Sequence, residues 1–459
     1  MVAPELARWA TGEVRVPAAV REAALRHLLD GLGTAVGAAR SGAAAPAVAV
    51  ARGLGGPAEA TILGGRERVG APAAALANGT LVHALDFDDT HAGGLVHATS
   101  VVLPAALAVG EQVGVSGGEV VDAAVVGYEV ACRVAAAAPH GFHARGVHAT
   151  MAAGVFSSAA VAARLLRLDA ATATHALGIA GSQAGGLLAF LATGASTKQL
   201  HPGFASQAGI TAARLAAAGA TGPETVLDGP HGLYDALTTG TVDRAVLLDG
   251  LGGTDAGDWE TTRIGIKPWP TCQLAHASMA AAAAALATAG AKADDVVAVH
   301  ALVHPDSASV VCPTDRDPAR PASPYAAKFS LPWSVAALLC DGTVGVDTYR
   351  DDQLARPEVV DLAAATTWEP TAGAGPAADA AGEVTLTLAD GRRVTGRVER
   401  SPGGGTAPLS DADLLAKFAG NAGPASVPLV TALRALPDAP DLTDLITCAA
   451  DAAAVPMEA

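Results

Sequence analysis

The spacing of apolar residues changes once along this 459-residue chain, from helical spacing to the alternation typical of strands. This change limits the possible folds more than any other feature of the sequence. From Pro17 to Ala38 apolar residues recur at helical spacing, and further helical segments follow as far as residue 291. β-branched alternation first appears at Val296–Val303, and the segment Glu383–Val398 predicts a hairpin with an Asp-Gly turn. The pattern predicts a mainly α fold, in which a smaller α+β lid domain is inserted into a large all-helical domain.

The domain boundaries are predicted from composition and from the position of a linker. The composition shifts near Lys267, and Ser401–Gly405 is a Pro- and Gly-rich return linker. We therefore predict a helical domain made of residues 1–266 and 403–459, with the lid domain at 267–402. Hydrophobic residues make up 51% of the chain and aromatic residues only 3%, so small aliphatic side chains must fill the cores and favour close helix contact.

Charge and cysteine usage exclude several classes of protein. The net charge of −16 disfavours binding to nucleic acid or to an anionic membrane surface. Five scattered cysteines without a C-x-x-C pair make a disulfide framework or a zinc site unlikely, and fit a cytoplasmic location. Residues 1–30 contain no secretory signal, and the uncharged run 170–197 is broken by polar and Gly residues, which suits a buried helix pair. No P-loop and no post-strand G-x-G-x-x-G occurs, so no nucleotide cofactor is expected.

One stretch, residues 78–97, concentrates three aspartates and three histidines. On a continued helix Asp86, Asp89 and Thr90 would share one face and Asp88 would point elsewhere. The Gly-Gly pair at 93–94 would then end the helix and let His97 fold back over that face. Two other interpretations stay open: solvated acids at a helix C-terminus, and a metal site with ligands from Asp86, Asp88, Asp89, His91 and His97.

Two further segments carry candidate binding residues. His148 stands just ahead of a small-residue helix at 151–166, whose N-terminal amides would receive a carboxylate, with Arg145 nearby as a second anion-binding group. The alternative is that His148 only caps a tightly packed helix. Lys198 and His201, followed by Pro-Gly, predict an anion-binding loop, unless the lysine is simply solvated.

The order of these motifs resembles that of the MmgE/PrpD family. Asn78-Gly79 followed by His83 and by Asp86-Phe-Asp-Asp-Thr-His91 resembles the family signature. Four later blocks resemble the family in the same order: Gly146–Thr150, Thr197–Gly203, Lys267–Pro270 with His276, and Lys328–Trp333 with Asp341-Gly342. The family contains 2-methylcitrate dehydratases, cis-aconitate decarboxylases and iminodisuccinate epimerases. The resemblance implies a homodimer with a site in the cleft between its two domains, without a cofactor or metal.

The resemblance and the motifs together give a set of expected site residues. The catalytic residues would be Asp86, His97, His148 and His276. The substrate-binding residues would be Thr90, Lys198, Arg145, Lys267 and Trp333. Trp333 departs from the family, which commonly has Tyr there, and an indole N–H donates a hydrogen bond but cannot act as a phenolic acid.

These residue types suit proton transfer at a carbon beside a carboxylate. Lys198 would hold carboxylates, two imidazoles would act as base and acid, and Asp86 would fix a histidine tautomer. We expect a cofactor-independent lyase acting on a small di- or tricarboxylate, in the first place a hydro-lyase that dehydrates a 2-methylcitrate-like acid. Decarboxylation of a cis-aconitate-like acid and iminodisuccinate-type epimerisation are alternatives within the family. A non-catalytic dimeric scaffold and a metal-dependent hydrolase are alternatives outside it.

Overall fold

A computed structural model describes residues 1–373 and 375–455. Its helices are, in chain order, α1 Val2–Thr11, α2 Ala18–Ser41, α3 Ala45–Leu54, α4 Ala71–His83, α5 Thr99–Val113, α6 Gly117–Ala136, α7 Gly141–Ala144, α8 Ala149–Leu165, α9 Ala170–Gly181, α10 Phe190–Thr193, α11 Thr197–Ala217, α12 Leu233–Leu237, α13 Gln273–Ala289, α14 Pro305–Val311, α15 Pro324–Ala327, α16 Leu331–Asp341, α17 Pro357–Ala364, α18 Asp411–Ala422, α19 Ser426–Ala435 and α20 Thr443–Ala453. Its strands are β1 Ala60–Thr61, β2 Arg68–Val69, β3 Thr90–His91, β4 Ile264–Gly265, β5 Val296–Val303, β6 Thr366–Pro370, β7 Gly382–Leu388 and β8 Arg393–Val398.

The chain divides into two compact units. The helical unit comprises Met1–Leu188, Thr197–Ile264 and the described residues from Ser410 onward, and the α+β unit comprises Ala189–Ser196 and Gly265–Leu409. The mainly α fold class with an inserted α+β part is confirmed. The sequence predicts boundaries at 266/267 and 402/403, whereas the two units divide at 264/265 and 409/410. The sequence also does not assign the short segment Ala189–Ser196 to the lid.

The helical unit is built from helices that are apolar on nearly every side. Between Ala73 and His83 every residue of α4 is buried, and α5 and α8 are buried over most of their length. A helix that is apolar all round belongs in the interior, so these helices form the centre of the unit. The remaining long central helix, α11, packs against both α8 and α4.

Two glycines set the crossing of α4 and α11. A Cβ at Gly203 would lie 2.2 Å from the carbonyl oxygen of Leu76, and a Cβ at Gly79 would lie 2.8 Å from the backbone nitrogen of Gly203. The two helix backbones therefore touch, as small residues at a helix crossing allow. The contact brings the C-terminal end of α4 beside the first turns of α11, and both of these ends carry site residues.

We expect Gly203→Ala to lower the free energy of unfolding by at least about 1–3 kcal/mol, the usual range for an overpacked core. The physical reason is that the added methyl group meets backbone, which cannot move aside as a flexible side chain can. Urea unfolding monitored by circular dichroism measures the change.

Gly420→Ala is the matched control for that substitution. Gly420 also lies inside a helix, α18, but a Cβ there meets nothing within 4 Å. The control should therefore gain about 0.5–1 kcal/mol from helix propensity. Equal effects of the two substitutions would contradict the proposed backbone contact.

The α+β unit contains a four-stranded sheet in the order β6-β5-β7-β8. β5 pairs in parallel with β6 and antiparallel with β7, and β7 and β8 form the antiparallel hairpin that the sequence predicted. Buried and half-buried residues alternate along β7, so one face of the sheet carries the core. Met279 of α13 and Trp333 of α16 belong to that core, with Val384 and Leu386 of β7.

The long uncharged run at 170–197 does not form one continuous helix. It contains α9 and the four-residue α10, with turns between them. Within residues 1–373 and 375–455, no helix combines the length and apolar character needed to cross a membrane.

Candidate functional site

The aspartate-rich stretch is a loop rather than a helix. α4 ends at His83, and Asp86 adopts a left-handed backbone conformation with φ of +52°. Such a conformation interrupts a helix, although aspartate tolerates it better than most residues do. The predicted helix face shared by Asp86, Asp89 and Thr90 is therefore wrong, and the three side chains have separate partners.

Asp86 forms a buried ion pair with Lys198. The Lys198 Nζ lies 2.7 Å from Asp86 Oδ1, and the two residues are 5% and 0% exposed. Next to Lys198, the side-chain Nε2 of Gln199 donates to the carbonyl oxygen of Ala84 at 2.9 Å. Two consecutive residues of α11 thus hold the loop that follows α4.

Lys198 and His201 lie on a helix, so the prediction that they stand in a loop is wrong, while anion binding by Lys198 stays a prediction. α11 begins at Thr197 and continues through Pro202. Proline lacks the N–H that would reach the carbonyl oxygen of Lys198, and normally weakens a helix at such a position. The helix nevertheless continues, packed against α4, and it places Lys198 and His201 three residues apart on one face.

His83 is oriented by Asp88. Its Nδ1 lies 2.9 and 2.8 Å from the two carboxylate oxygens, and both residues are fully buried. A carboxylate accepts, so Nδ1 carries the proton and the charged form of the ring is supported. The sequence had assigned the orienting role to Asp86. Asp88 orients His83, and the turn at Asp86 brings that carboxylate to Lys198.

His97 is held in one tautomer by backbone. Its Nδ1 lies 2.8 Å from the carbonyl oxygen of Asp89 and 3.1 Å from Thr90 Oγ1. A carbonyl oxygen only accepts, so Nδ1 bears the proton and Nε2 of the neutral ring bears the lone pair. The backbone N–H of His97 donates to Thr150 Oγ1 at 3.1 Å, which fixes the residue against the start of α8.

Asp89 and His91 have structural partners. Asp89 accepts from the backbone N–H of Thr99 at 3.0 Å, where α5 begins, and lies 3.2 Å from His27 Nδ1. The Nε2 of His91 lies 2.8 Å from Glu260 Oε2. Among the described residues the five candidate ligands Asp86, Asp88, Asp89, His91 and His97 therefore do not form one metal site, although Asp86 and Asp88 each place a carboxylate oxygen within 4.8 Å of a ring nitrogen of His83.

His148 is the N-cap residue of α8 and completes a group of three histidines. Its backbone N–H donates to the carbonyl oxygen of Gly186 at 2.7 Å. The ring centroids lie 4.7 Å apart for His83 and His97, and 5.9 Å from each of these to His148. One ring nitrogen of each histidine lies within 4.8 Å of the others, and we call these three residues the imidazole cluster.

A fourth histidine is bonded directly to the imidazole cluster. The Nδ1 atoms of His148 and His201 are 3.0 Å apart, and their ring centroids are 5.2 Å apart. His143 adds its ring edge-on to His148 at a centroid distance of 6.1 Å. The site is therefore rich in imidazole, with the Lys198–Asp86 ion pair beside it.

Burial keeps His148, His201 and His143 neutral. Burial, followed by the charges of His201 and Lys198, lowers the pKa of His148 well below its ordinary value. Burial and Lys198 lower the pKa of His201 to about 4. Burial, His140 and Lys198 lower the pKa of His143 to about 3. At neutral pH these rings are uncharged. They can accept a proton or transfer one, but they do not remain as imidazolium.

The imidazole cluster is also a candidate metal site. Three histidine nitrogens are a donor set that zinc accepts. The Nδ1 atoms of His83 and His97 are bonded to Asp88 and to the Asp89 carbonyl, and such partners orient ligating histidines in metal sites as well as in acid–base sites. The donor set fits a metal, and a chelation arm is therefore part of the activity test below.

Four further expected site residues are Arg145, in the helical unit, and Lys267, His276 and Trp333, in the α+β unit. Arg145 is exposed where α7 ends. Lys267 and His276 are fully buried in the α+β unit, and the Nε2 of His276 lies 3.2 Å from the carbonyl oxygen of Thr271. The roles of Lys267 and His276 rest on the sequence motif and remain predictions.

Trp333 is a core residue of the α+β unit. It is completely buried, and its ring centroid lies 5.2 Å from that of Tyr349. Its indole N–H points at the carbonyl oxygen of Leu354 at 3.4 Å. This packing corrects the expectation that Trp333 binds substrate, because the one donor of the side chain is directed at backbone within its own unit.

The sequence-based set of site residues omitted His83, Asp88 and His201. His83 and Asp88 stand in the recognised signature, five residues apart, but the assumed helix directed Asp88 away from the site. His201 follows Lys198 by three residues, and helical spacing alone would have placed the two on one face. The signal that was missed was the continuation of α11 through Pro202.

The loop after α4 is also braced from the C-terminal part of the chain. Lys417 of α18 donates to the carbonyl oxygen of Phe87 at 2.7 Å, and its Nζ lies 4.0 Å from the centroid of the Phe87 ring. The same Nζ is 2.5 Å from Oδ1 of the buried Asp30. This brace fixes the backbone between Asp86 and Thr90, which both face the site.

We expect Asp30 to make stability depend on pH. Burial, against the opposing effect of Lys417, raises its pKa from 3.8 to about 6. The folded protein therefore holds this proton when the unfolded chain has lost it, so stability falls as pH rises through this window. The free energy of unfolding of wild type minus that of Asp30→Asn should fall by about 3 kcal/mol between about pH 4 and pH 6 and then level off. A pH-independent difference in urea unfolding would contradict the raised pKa.

Two family models and several known proteins match most of this chain. The MmgE/PrpD N-terminal domain matches residues 5–245, and the MmgE/PrpD C-terminal domain matches residues 269–428. The chain is 28% identical over 483 residues to a cis-aconitate decarboxylase of Aspergillus terreus, covering 97% of this chain and 96% of the relative. It is 32% identical over 368 residues to cis-aconitate decarboxylase of Mus musculus, covering 76% of this chain and 71% of the relative. It is 31% identical over 367 residues to cis-aconitate decarboxylase of Homo sapiens, covering 76% and 72%.

Proposed function

We propose, from the premise that the chain belongs to the MmgE/PrpD family, that the protein is a lyase that removes CO₂ from a cis-aconitate-like tricarboxylate. The observation that carries the proposal is the buried imidazole cluster beside the cation of Lys198. The cis-aconitate decarboxylases among the relatives support this choice over the dehydration that the sequence favoured. Loss of CO₂ breaks one carbon–carbon bond and leaves its electron pair on the substrate, conjugated through the double bond to a remaining carboxylate.

Decarboxylation needs a cation for the developing negative charge and a donor that protonates carbon. Lys198 has three N–H donors, so it can keep its bond to Asp86 and also hold a substrate carboxylate. In a buried site such a charge stabilises the delocalised carbanion more than it does in water. His148 then supplies the proton to carbon, and the products are CO₂ and an unsaturated dicarboxylate.

Dehydration of a 2-methylcitrate-like hydroxy acid is the second candidate. It needs a base for a C–H proton beside a carboxylate, and an acid for the leaving hydroxyl. The tautomer of His97 favours it, because the lone pair of Nε2 is fixed by the bond between Nδ1 and the Asp89 carbonyl. The same protein groups serve either reaction, so the substrate decides between the two.

The test is a product screen by ¹H NMR in D₂O with cis-aconitate, citrate, 2-methylcitrate and iminodisuccinate. The expected result is release of CO₂ from cis-aconitate, with one solvent deuteron on carbon in the product. Loss of water without CO₂ would transfer the assignment to dehydration, and proton exchange at a stereocentre alone would transfer it to epimerisation. Turnover of none of them would support the scaffold alternative.

A parallel arm with EDTA addresses the metal-dependent alternative. We expect activity to survive exhaustive chelation, because the acid–base roles proposed for the imidazole cluster use its ring nitrogens directly. Loss of activity that returns with added zinc would instead assign His83, His97 and His148 as ligands.

Three expectations from the sequence also remain proposals. Lys267 and His276 are proposed as substrate-binding and catalytic residues, and the protein is proposed to be a cytoplasmic homodimer. His276→Asn tests the catalytic assignment through kcat, and light scattering after size-exclusion chromatography tests the dimer.

A further inference from the structure

The hydrogen bond between His148 and His201 contains one shared proton. The two Nδ1 atoms are 3.0 Å apart, and the residues are only 1% and 5% exposed. A nitrogen that bears a proton donates and one that bears a lone pair accepts, so one of the two Nδ1 atoms is protonated and the other is not. We call His148 and His201 the imidazole pair.

The position of that proton determines what His148 can do at Nε2. When His201 donates, Nδ1 of His148 accepts, and the neutral His148 ring then carries its proton on Nε2, where it can be given to substrate. When His148 donates, its Nε2 bears the lone pair and can take a proton. When the shared proton moves to His148 while His148 gives up its Nε2 proton and His201 gains one at Nε2, His148 changes from an acid into a base and both rings end neutral.

The surroundings of the pair disfavour a charged ring. Lys198 lies on the same helix as His201, and His83, His97 and His143 surround His148. Burial, with the charge of Lys198, depresses the pKa of both members of the pair. If the acid had to be an imidazolium, only a small fraction of the protein would carry it at neutral pH. A neutral His148 that receives a proton at Nδ1 as it gives one from Nε2 does not have this restriction.

Both rings of the pair are positioned by backbone. His148 is held at the start of α8 by the carbonyl oxygen of Gly186, and His201 lies within α11. Gly186 has φ of +89°, and a Cβ there would lie 3.2 Å from His201 Nδ1 and 2.9 Å from the Cβ of Met151. The chain thus keeps the space beside the Nδ1 contact clear of any side chain.

We propose that His201 is a proton-relay residue that resupplies His148 during turnover. The proposal rests on the proposed function, since it concerns the proton delivered to the substrate carbon. As the Nε2–H of His148 gives its proton to that carbon, Nδ1 of His148 takes the proton of His201 Nδ1, and Nε2 of His201 takes one from water. One proton passes from solvent to product, and both imidazoles end neutral with their tautomers exchanged.

The decisive variant is His201→Asn. The amide group of asparagine stands where Nδ1 stood, so it can hold His148 by a hydrogen bond but cannot take a proton at one end and release one at the other. We expect kcat to fall by about 10²-fold with little change in KM, the lower end of the range for a lost acid–base group. His201→Gln serves as a second variant if the first does not fold.

His231→Asn is the matched control for this variant. His231 is exposed and has a backbone φ of +60°, which asparagine tolerates well, so the turnover of His231→Asn should equal that of wild type.

A proton inventory in H₂O/D₂O mixtures gives a readout that a purely positioning role of His201 would not change. The plot of kcat should be curved for wild type, with more than one proton in flight, and linear for His201→Asn. Wild-type-like kcat in His201→Asn, or a linear wild-type plot, would overturn the relay.

A measurement without substrate separates failure of the relay from failure of the proposed function. In ¹⁵N-histidine-labelled protein, with resonances assigned through His148→Asn and His201→Asn, one Nδ1 of the pair should be protonated and the other not. Two protonated Nδ1 atoms would overturn the relay whatever the enzyme turns over. The shared-proton pattern in a protein that accepts none of the four acids would sustain the pair and refute only the substrate assignment.

Discussion

His148→Asn is expected to lower kcat by about 10³-fold, within the range for loss of a general acid–base group. The variant removes the imidazole that stands among His83, His97 and His201 and that the proposed mechanism uses to protonate carbon. Asparagine is a good N-cap residue, so α8 keeps a favourable start and the loss belongs to chemistry rather than folding. Steady-state kinetics with the accepted substrate measures kcat and KM separately.

The interpretation depends on which kinetic constant changes. A fall in kcat with unchanged KM assigns His148 to the transition state, whereas a rise in KM alone would make it a binding residue. The exposed His231→Asn serves again as the matched control, and turnover within about two-fold of wild type in His148→Asn would remove His148 from the mechanism.

Lys198→Met is expected to lower the free energy of unfolding by about 3–5 kcal/mol, because it removes the cation of the buried ion pair with Asp86. The ion pair is almost completely buried, so solvent cannot replace the lost cation. The same substitution should raise KM, since the mechanism uses Lys198 to hold a substrate carboxylate. Urea unfolding and steady-state kinetics on one preparation measure both effects.

Two further variants separate charge from packing. The double variant Lys198→Met with Asp86→Asn removes both charges and should regain most of the lost stability, but not the lost affinity for substrate. Arg397→Met breaks an ion pair with Glu383 in which the arginine side chain is 72% exposed, and should cost about 0–1 kcal/mol. An equal loss in Lys198→Met and Arg397→Met would show that the buried pair contributes no more than a surface one.

The fold class was predictable because periodicity is a local property. The strand at Val296–Val303 and the hairpin at β7 and β8 lie where alternation and an Asp-Gly turn predicted them. The loop after α4 was not predictable in this way. Asp86 leaves the helix where it meets Lys198, which is 112 residues away along the chain, and no local pattern contains that partner.

The candidate site shows the same division between local and distant information. The motifs predicted His97, His148 and Lys198 as site residues because each stands in a recognisable segment. The bond between His148 and His201 joins residues 53 apart in sequence and depends on how α8 packs against α11. Trp333 failed as a site residue for a related reason, since sequence shows that a position departs from its family but does not show which way the side chain faces.

The course of the chain between the two units limits how this protein can be dissected. Ala189–Ser196 belongs to the α+β unit although helical-unit sequence flanks it on both sides. Within that unit Phe190 packs edge-on against Phe329 at 5.9 Å, and Arg316 donates to the carbonyl oxygen of Leu191 at 2.6 Å. Residues 265–409 expressed alone would lack both contacts. A chimaera that exchanges this unit between two relatives must therefore transplant two pieces of chain, and the shorter one ends one residue before α11, the helix that carries Lys198 and His201.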